Sequence, residues 1–143
     1  MGHEHQSILL LLFLLVSSRI VVLEAGLCPL GRFNVTIFNN LPPEIGGSGD
    51  NIVVTWCKSG DRDIGDRYLD SGDYFSFDFC KHVFPNIVYF CHFYWGKKDK
   101  AIEVFRQKFI TYDHQFVWRV KTDGFYMSHN PLWDDSEKKF GWD

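Results

Sequence analysis

Ile87-Val88-Tyr89-Phe90-Cys91-His92-Phe93-Tyr94-Trp95 is apolar or aromatic at every position except His92. A run this short and this rich in rings predicts a central β-strand buried on both faces. Alternation divides it into two sets, Tyr89, Cys91 and Phe93 against Phe90, His92 and Tyr94. The first set is the candidate core. Without a second layer or a tail to cover them, Phe90 and Tyr94 would form an exposed patch of the kind that meets a partner or a carbohydrate.

Period-two patterns continue on both sides. Upstream, Tyr74–Phe79 places Phe75, Phe77 and Phe79 on one face, and Asp70-Ser71-Gly72-Asp73 reads as a hairpin-like turn joining it to Tyr68–Leu69. Lys58–Asp66 reads as a polar turn after the β-rich stretch Asn51–Cys57, and Glu44–Asp50, with three glycines, as a loop before it. Arg32–Phe38 alternates Phe33, Val35 and Ile37 with polar residues. Downstream, Ala101–Phe109 alternates less cleanly, with Ile102 and Val104 set against Ala101, Glu103 and Phe105. Gln115–Val120 and Phe125–Ser128 flank Thr122-Asp123-Gly124, where Asp-Gly predicts a type I′ hairpin. About eight short strands without helical periodicity predict an all-β fold, a small antiparallel β-sandwich. The tail, His129–Asp143, is either a loose extension or a docked lid, and Trp133 and Trp142 favour packing.

The whole chain has 143 residues, 45% hydrophobic and 17% aromatic, which fits one small domain and excludes a disordered chain, a coiled coil or a collagen-like repeat. Fifteen Lys and Arg against 18 Asp and Glu leave a net charge of −3, which argues against a nucleic-acid binder. Segment 1–25 reads as a secretory signal peptide, because the apolar run Ile8–Val16 lies between Met1–Ser7 and Ser17-Ser18-Arg19. The run is too short to span a bilayer, so no stable membrane insertion is expected after cleavage at Ala25 or Ser18. Residues 26–143 are then the secreted domain. In an oxidising compartment the four cysteines, Cys28, Cys57, Cys80 and Cys91, favour two disulfides; no C-x-x-C spacing points to zinc. Four cysteines allow three connectivities.

Cys57-Lys58-Ser59-Gly60-Asp61-Arg62-Asp63-Ile64-Gly65 resembles the C-K-S-x-D-D-D-L-G turn of the plant self-incompatibility S-protein homologues. Three more segments resemble that family in order: Val35-x-Ile37-x-Asn39, Tyr89-x-Cys91-x-Phe93-x-Trp95, and Trp118-x-Val120-x-x-Asp123-Gly124-Phe125-Tyr126. The resemblance covers roughly Phe33 to Met127. It implies a small secreted plant β-sandwich that acts by recognition at a cell surface, as the poppy pistil protein does toward a pollen receptor. This chain departs from the pattern in lacking two cysteines before the closing Trp, where it has Tyr112–Val117, and in carrying Cys28 and Cys80. The family's pairing therefore does not transfer.

Strand parity offers a separate route to the bonds. Cys57 shares a face with Val53 and Thr55, and Cys91 with Tyr89 and Phe93, which suggests a buried Cys57–Cys91 bridge. Cys80 falls opposite Phe75, Phe77 and Phe79, which leaves it to Cys28. Asn34-Val35-Thr36 is the one N-x-[ST] sequon and makes Asn34 a candidate glycosylation site. Asp61, Asp63 and Asp66 lack the Gly and Glu of an EF-hand loop, so the turn is expected to be capped by its own carboxylates rather than to hold a metal. As an exposed charged loop on a rigid scaffold, Asp61, Arg62 and Asp63 are the candidate receptor contacts.

Catalysis finds little support. His82, His92, His114 and His129, with Asp113, are the available acid–base groups, but no spacing forces two of them together, and the chain has no G-x-S-x-G, P-loop or H-E-x-x-H. No cofactor is implied. The expectation is a secreted, monomeric, non-enzymatic ligand for a cell-surface receptor. An apoplastic carbohydrate-binding or defence module is the alternative.

Overall fold

The computed structural model describes residues 7–10, 27–43, 51–84, 86–108 and 112–143. Most of the signal-peptide reading, including both cleavage candidates, lies outside the described residues, as do the glycine-rich loop 44–50 and the end of the predicted strand at Phe109. Nine strands follow: β1 Arg32–Asn39, β2 Val53–Lys58, β3 Asp63–Leu69, β4 Tyr74–Cys80, β5 Val88–Trp95, β6 Lys98–Arg106, β7 Gln115–Lys121, β8 Gly124–Ser128 and β9 Glu137–Phe140. They form two packed sheets, β4-β1-β7-β8-β9 and β3-β2-β5-β6. All neighbours are antiparallel except β1 and β7, which run parallel.

Alternation builds the core. Phe33, Val35 and Ile37 of β1, Phe77 and Phe79 of β4, and Trp118 and Val120 of β7 face Val53 and Cys57 of β2, Tyr89, Cys91 and Phe93 of β5, and Ile102 of β6. Trp118 ties the two layers with a hydrogen bond from Nε1 to the Val104 carbonyl of the opposite sheet, 2.9 Å. Phe105 is buried as well as Ile102 and Val104, because the Tyr89–Phe90 register shift lets β6 bring it against Phe33, Phe79 and Phe116. Cys57 and Cys91 are register partners and form one disulfide; Cys28 and Cys80 form the other, stapling the segment before β1 to the end of β4.

Four expectations change. β5 is buried on one face only, because the second sheet covers that face and nothing equivalent covers Phe90 and Tyr94. The polar turn is shorter than Lys58–Asp66, since β3 already begins at Asp63 and pairs with β2 through a bulge at Cys57 and Lys58. Asp70–Asp73 is not a hairpin turn: β3 and β4 belong to different sheets, and this corner carries the chain from one to the other. Buried Asn39 organises it, donating from Nδ2 to the carbonyls of Asn51 and Leu69 and accepting from the Leu41 amide, while its own backbone bonds Gly72 and Asp73. The β7–β8 hairpin forms, with Lys121 opposite Gly124, but Thr122 and Asp123 keep negative φ, so the turn is not type I′.

The tail is docked. β9 pairs with β8, and Trp142 packs on Phe125 at 4.5 Å while its Nε1 donates to the Lys121 carbonyl at 3.0 Å. Gly124 permits this approach, since a Cβ there would lie 2.1 Å from the Phe140 carbonyl oxygen.

Candidate functional site

A cleft of about 640 Å³ opens at the end of the sandwich where Cys28 and Cys80 are joined. The β2–β3 turn forms one wall, with Ser59, Gly60, Asp61 and Arg62; Asp78–Cys80 and His82 form another; Ile87, Val88 and Tyr89 form an apolar floor. Arg32 and Asp78 add charge, so both cations and carboxylates line the cleft.

The turn is locked by its own polar groups, as expected of a self-capped loop. Ser59 N–H donates to the Arg62 carbonyl at 2.8 Å, the Ser59 hydroxyl donates to Asp61, and the Arg62 amide donates back to that hydroxyl. Arg62 Nη1 then crosses to the other sheet and donates to the Asp78 carbonyl at 2.6 Å. These bonds hold exposed charges in fixed positions, which lowers the entropy lost on binding.

Of the three loop residues expected to make contacts, Asp61 and Arg62 line the cleft and Asp63 does not. Asp63 turns to the outer face of β2-β3, where the Trp56 indole N–H at 2.7 Å and the Gly65 amide at 2.8 Å hold its carboxyl below the ordinary carboxylate range. No group of three or more metal-ligating side chains occurs among the described residues. Arg32, Asp78 and His82 belong to the cleft but carried no local signal pointing there. They reach it only through the β1–β4 pairing and the disulfide.

The histidines have separate partners. His92 bonds Asp99 at 2.8 Å and stacks on Tyr94; His129 donates from Nδ1 to the Gln115 carbonyl and lies 3.3 Å from Asp113. His114 packs near Phe33, and His82 is fixed through its backbone by Gln107. Asn34 lies on the outer face of β1, its Nδ2 donating to Asp78 at 2.7 Å and its Oδ1 accepting from Thr36.

A family described as plant self-incompatibility protein S1 matches residues 34–142. Among Arabidopsis thaliana proteins, S-protein homolog 21 is 27% identical over 123 residues, covering 79% of this chain and 90% of that protein. S-protein homolog 74 is 28% identical over 120 residues, covering 79% and 76% respectively. S-protein homolog 2 is 27% identical over 109 residues, and the match spans 60% of its length. A solved structure of SPH (self-incompatibility protein homologue) proteins, described as a widespread family of small, highly stable, secreted proteins from plants, superposes with a TM-score of 0.62 at 18% identity. It covers 80% of this chain and 96% of that one.

Proposed function

The chain belongs to the plant self-incompatibility protein S1 family, and from that premise we propose that it is a secreted, monomeric ligand that binds a cell-surface receptor through the cleft rim formed by Asp61 and Arg62. The observation that carries this reading is the Ser59–Arg62 turn, which is exposed, charged, and pinned by hydrogen bonds within itself and by one to the opposite sheet. A rigid scaffold with a preorganised charged loop is suited to recognition. The reading assigns no catalytic step, cofactor or nucleic acid. It includes removal of segment 1–25 on secretion and an N-linked glycan on Asn34, whose Nδ2 would keep one hydrogen for Asp78.

The test is binding of the labelled secreted protein to plant cells, pollen tubes included, with excess unlabelled protein as competitor. Saturable binding that falls roughly tenfold in Arg62→Ala supports the reading. Absent or non-saturable binding, or equal binding by Arg62→Ala, removes it. Peptide N-glycosidase treatment of the same preparation should lower its mass; an unchanged mass rejects the glycan.

A further inference from the structure

The broad outer face of β3-β2-β5-β6 is distinct from the cleft and lies open to solvent. Trp56, Tyr68, Phe90 and Tyr94 on it are 38%, 72%, 48% and 39% exposed. The strand register gathers them on one surface, with Trp56 opposite His92, Phe90 opposite Lys58, and Val54 between Tyr68 and Tyr94. Three of the rings have a carboxylate as direct cross-strand neighbour: Trp56 beside Asp66, Tyr94 beside Asp99 and Phe90 beside Glu103. Two of these carboxylates are held in place, Asp99 by His92 at 2.8 Å and Glu103 by Arg106 at 2.8 and 2.9 Å.

We infer that this face binds a neutral, extended glycan built of equatorially linked pyranose units. Such a sugar has an apolar C–H face that packs flat on an aromatic ring, and its hydroxyls project sideways, where an adjacent carboxylate accepts a hydrogen bond. The repeated ring-and-carboxylate pair offers both halves of that recognition at neighbouring positions along the sheet. Lys58 lies over the Trp56 ring at 4.8 Å and His92 stacks on Tyr94 at 4.2 Å, so a sugar on those rings takes the opposite ring face or displaces these side chains. A protein partner is a poorer fit. Protein interfaces place an apolar centre inside a polar rim, whereas here the carboxylates lie among the rings and would be desolvated against an apolar partner. Charge narrows the ligand further. Asp63, Asp66, Asp99 and Glu103 outnumber Lys58 and Arg106 on this face. The face therefore repels a polyanionic glycan, and a second copy placed face to face would meet like charge.

Affinity electrophoresis of the secreted, oxidised protein through gels containing hydroxyethylcellulose, xyloglucan or polygalacturonate tests this. The neutral polymers should retard the wild type. Trp56→Ala and Phe90→Ala should each weaken that retardation roughly tenfold. Tyr68→Ala serves as a further variant whose side chain is too exposed to matter for folding. Arg62→Ala should be retarded like the wild type, and polygalacturonate should not retard any of them. No retardation by a neutral glycan, equal retardation of the ring variants, or stronger retardation by polygalacturonate overturns the inference. So does loss of Trp56→Ala binding to wall-stripped protoplasts when neutral glycans leave the wild type unretarded, because the face would then dock a protein.

Discussion

The two sheets turn very different outer faces to solvent, although both arise from the same two-residue alternation. On β4-β1-β7-β8-β9 that face is cross-linked by polar side chains and covered over β7 by the tail, while a cleft of about 520 Å³ beside exposed Tyr74 stays open at the β4 side. Thr36 bonds Ser76 and Asn34, Asn34 bonds Asp78, and Arg119, bonded to Asn130 and Trp133 of the segment after β8, is buried, as is Val117. On β3-β2-β5-β6 the equivalent positions hold Trp56, Tyr68, Phe90 and Tyr94 with no lid. Polar side chains that satisfy one another close a surface, whereas uncovered rings keep one available. The first face should therefore govern stability and the second binding, and substitutions on each can break that division.

The largest effect is expected at Arg119. Its guanidinium lies buried under the tail, donating to the Ser128 hydroxyl and to the carbonyls of Asn130 and Trp133, with Asp134 at 4.0 Å and the Phe38 ring at 5.3 Å. Arg119→Met removes three charge-assisted bonds, leaving their acceptors only the uncharged bonds from Ser128, Asn130 and Asp135, and should cost about 3 kcal/mol in urea unfolding. A cost below about 1 kcal/mol would mean the tail adds little to the face it covers. Gly124→Ala comes next. Its φ of 149° and the nearby Phe140 carbonyl oppose a side chain, so β9 must shift, at about 2 kcal/mol by chemical unfolding. Faster amide exchange confined to 137–142 would locate the damage in β9; unchanged exchange there would contradict the close approach.

Much of this architecture was legible in the residues. Alternation located the strands containing Val35 and Ile37, Phe77 and Phe79, and Tyr89, Cys91 and Phe93, and parity put Cys57 opposite Cys91. What escaped reading depends on contacts between distant segments. Nothing local shows that Asp70–Asp73 changes sheets, because the buried Asn39 that anchors the corner lies 30 residues from Leu69. Arg119 alternates with the core residues Trp118 and Val120, and only the returning tail makes it buried. Residues of the β2–β3 turn were visible as a charged loop, but their separation was not: Asp61 and Arg62 line the cleft while Asp63 bonds the Trp56 indole on the outer face of the sheet.

A smaller effect should follow from acidification. The Lys121 ammonium at 2.7 Å, and after it the Ser136 hydroxyl, hold the Asp134 carboxyl well below its ordinary 3.8, and Arg119 faces it from the same strand as Lys121. A depressed folded pKa stabilises the fold above the unfolded value, and that contribution is lost as pH falls below 3.8 toward the folded one. Asp134 is partly exposed, so Asp134→Asn should cost less than about 1 kcal/mol at neutral pH. The difference from wild type should shrink below pH 3.8, measured as thermal midpoints across the acid range. A difference that grows on acidification would reverse the assigned sign.

The smallest effect sharpens the contrast most. Tyr68 is largely exposed, and its register partner across β2 is Val54, so Tyr68→Ser removes a ring that buries little apolar area. The change in unfolding free energy should stay within about 0.5 kcal/mol. Strand propensity favours Tyr over Ser, which accounts for a slight loss within that range. A cost above about 1 kcal/mol would show the ring packing on its neighbours as core does, and the open face would then be a second, thinner hydrophobic layer. A neutral result has the opposite meaning: Tyr68 contributes nothing to folding and is free to serve contacts outside the chain.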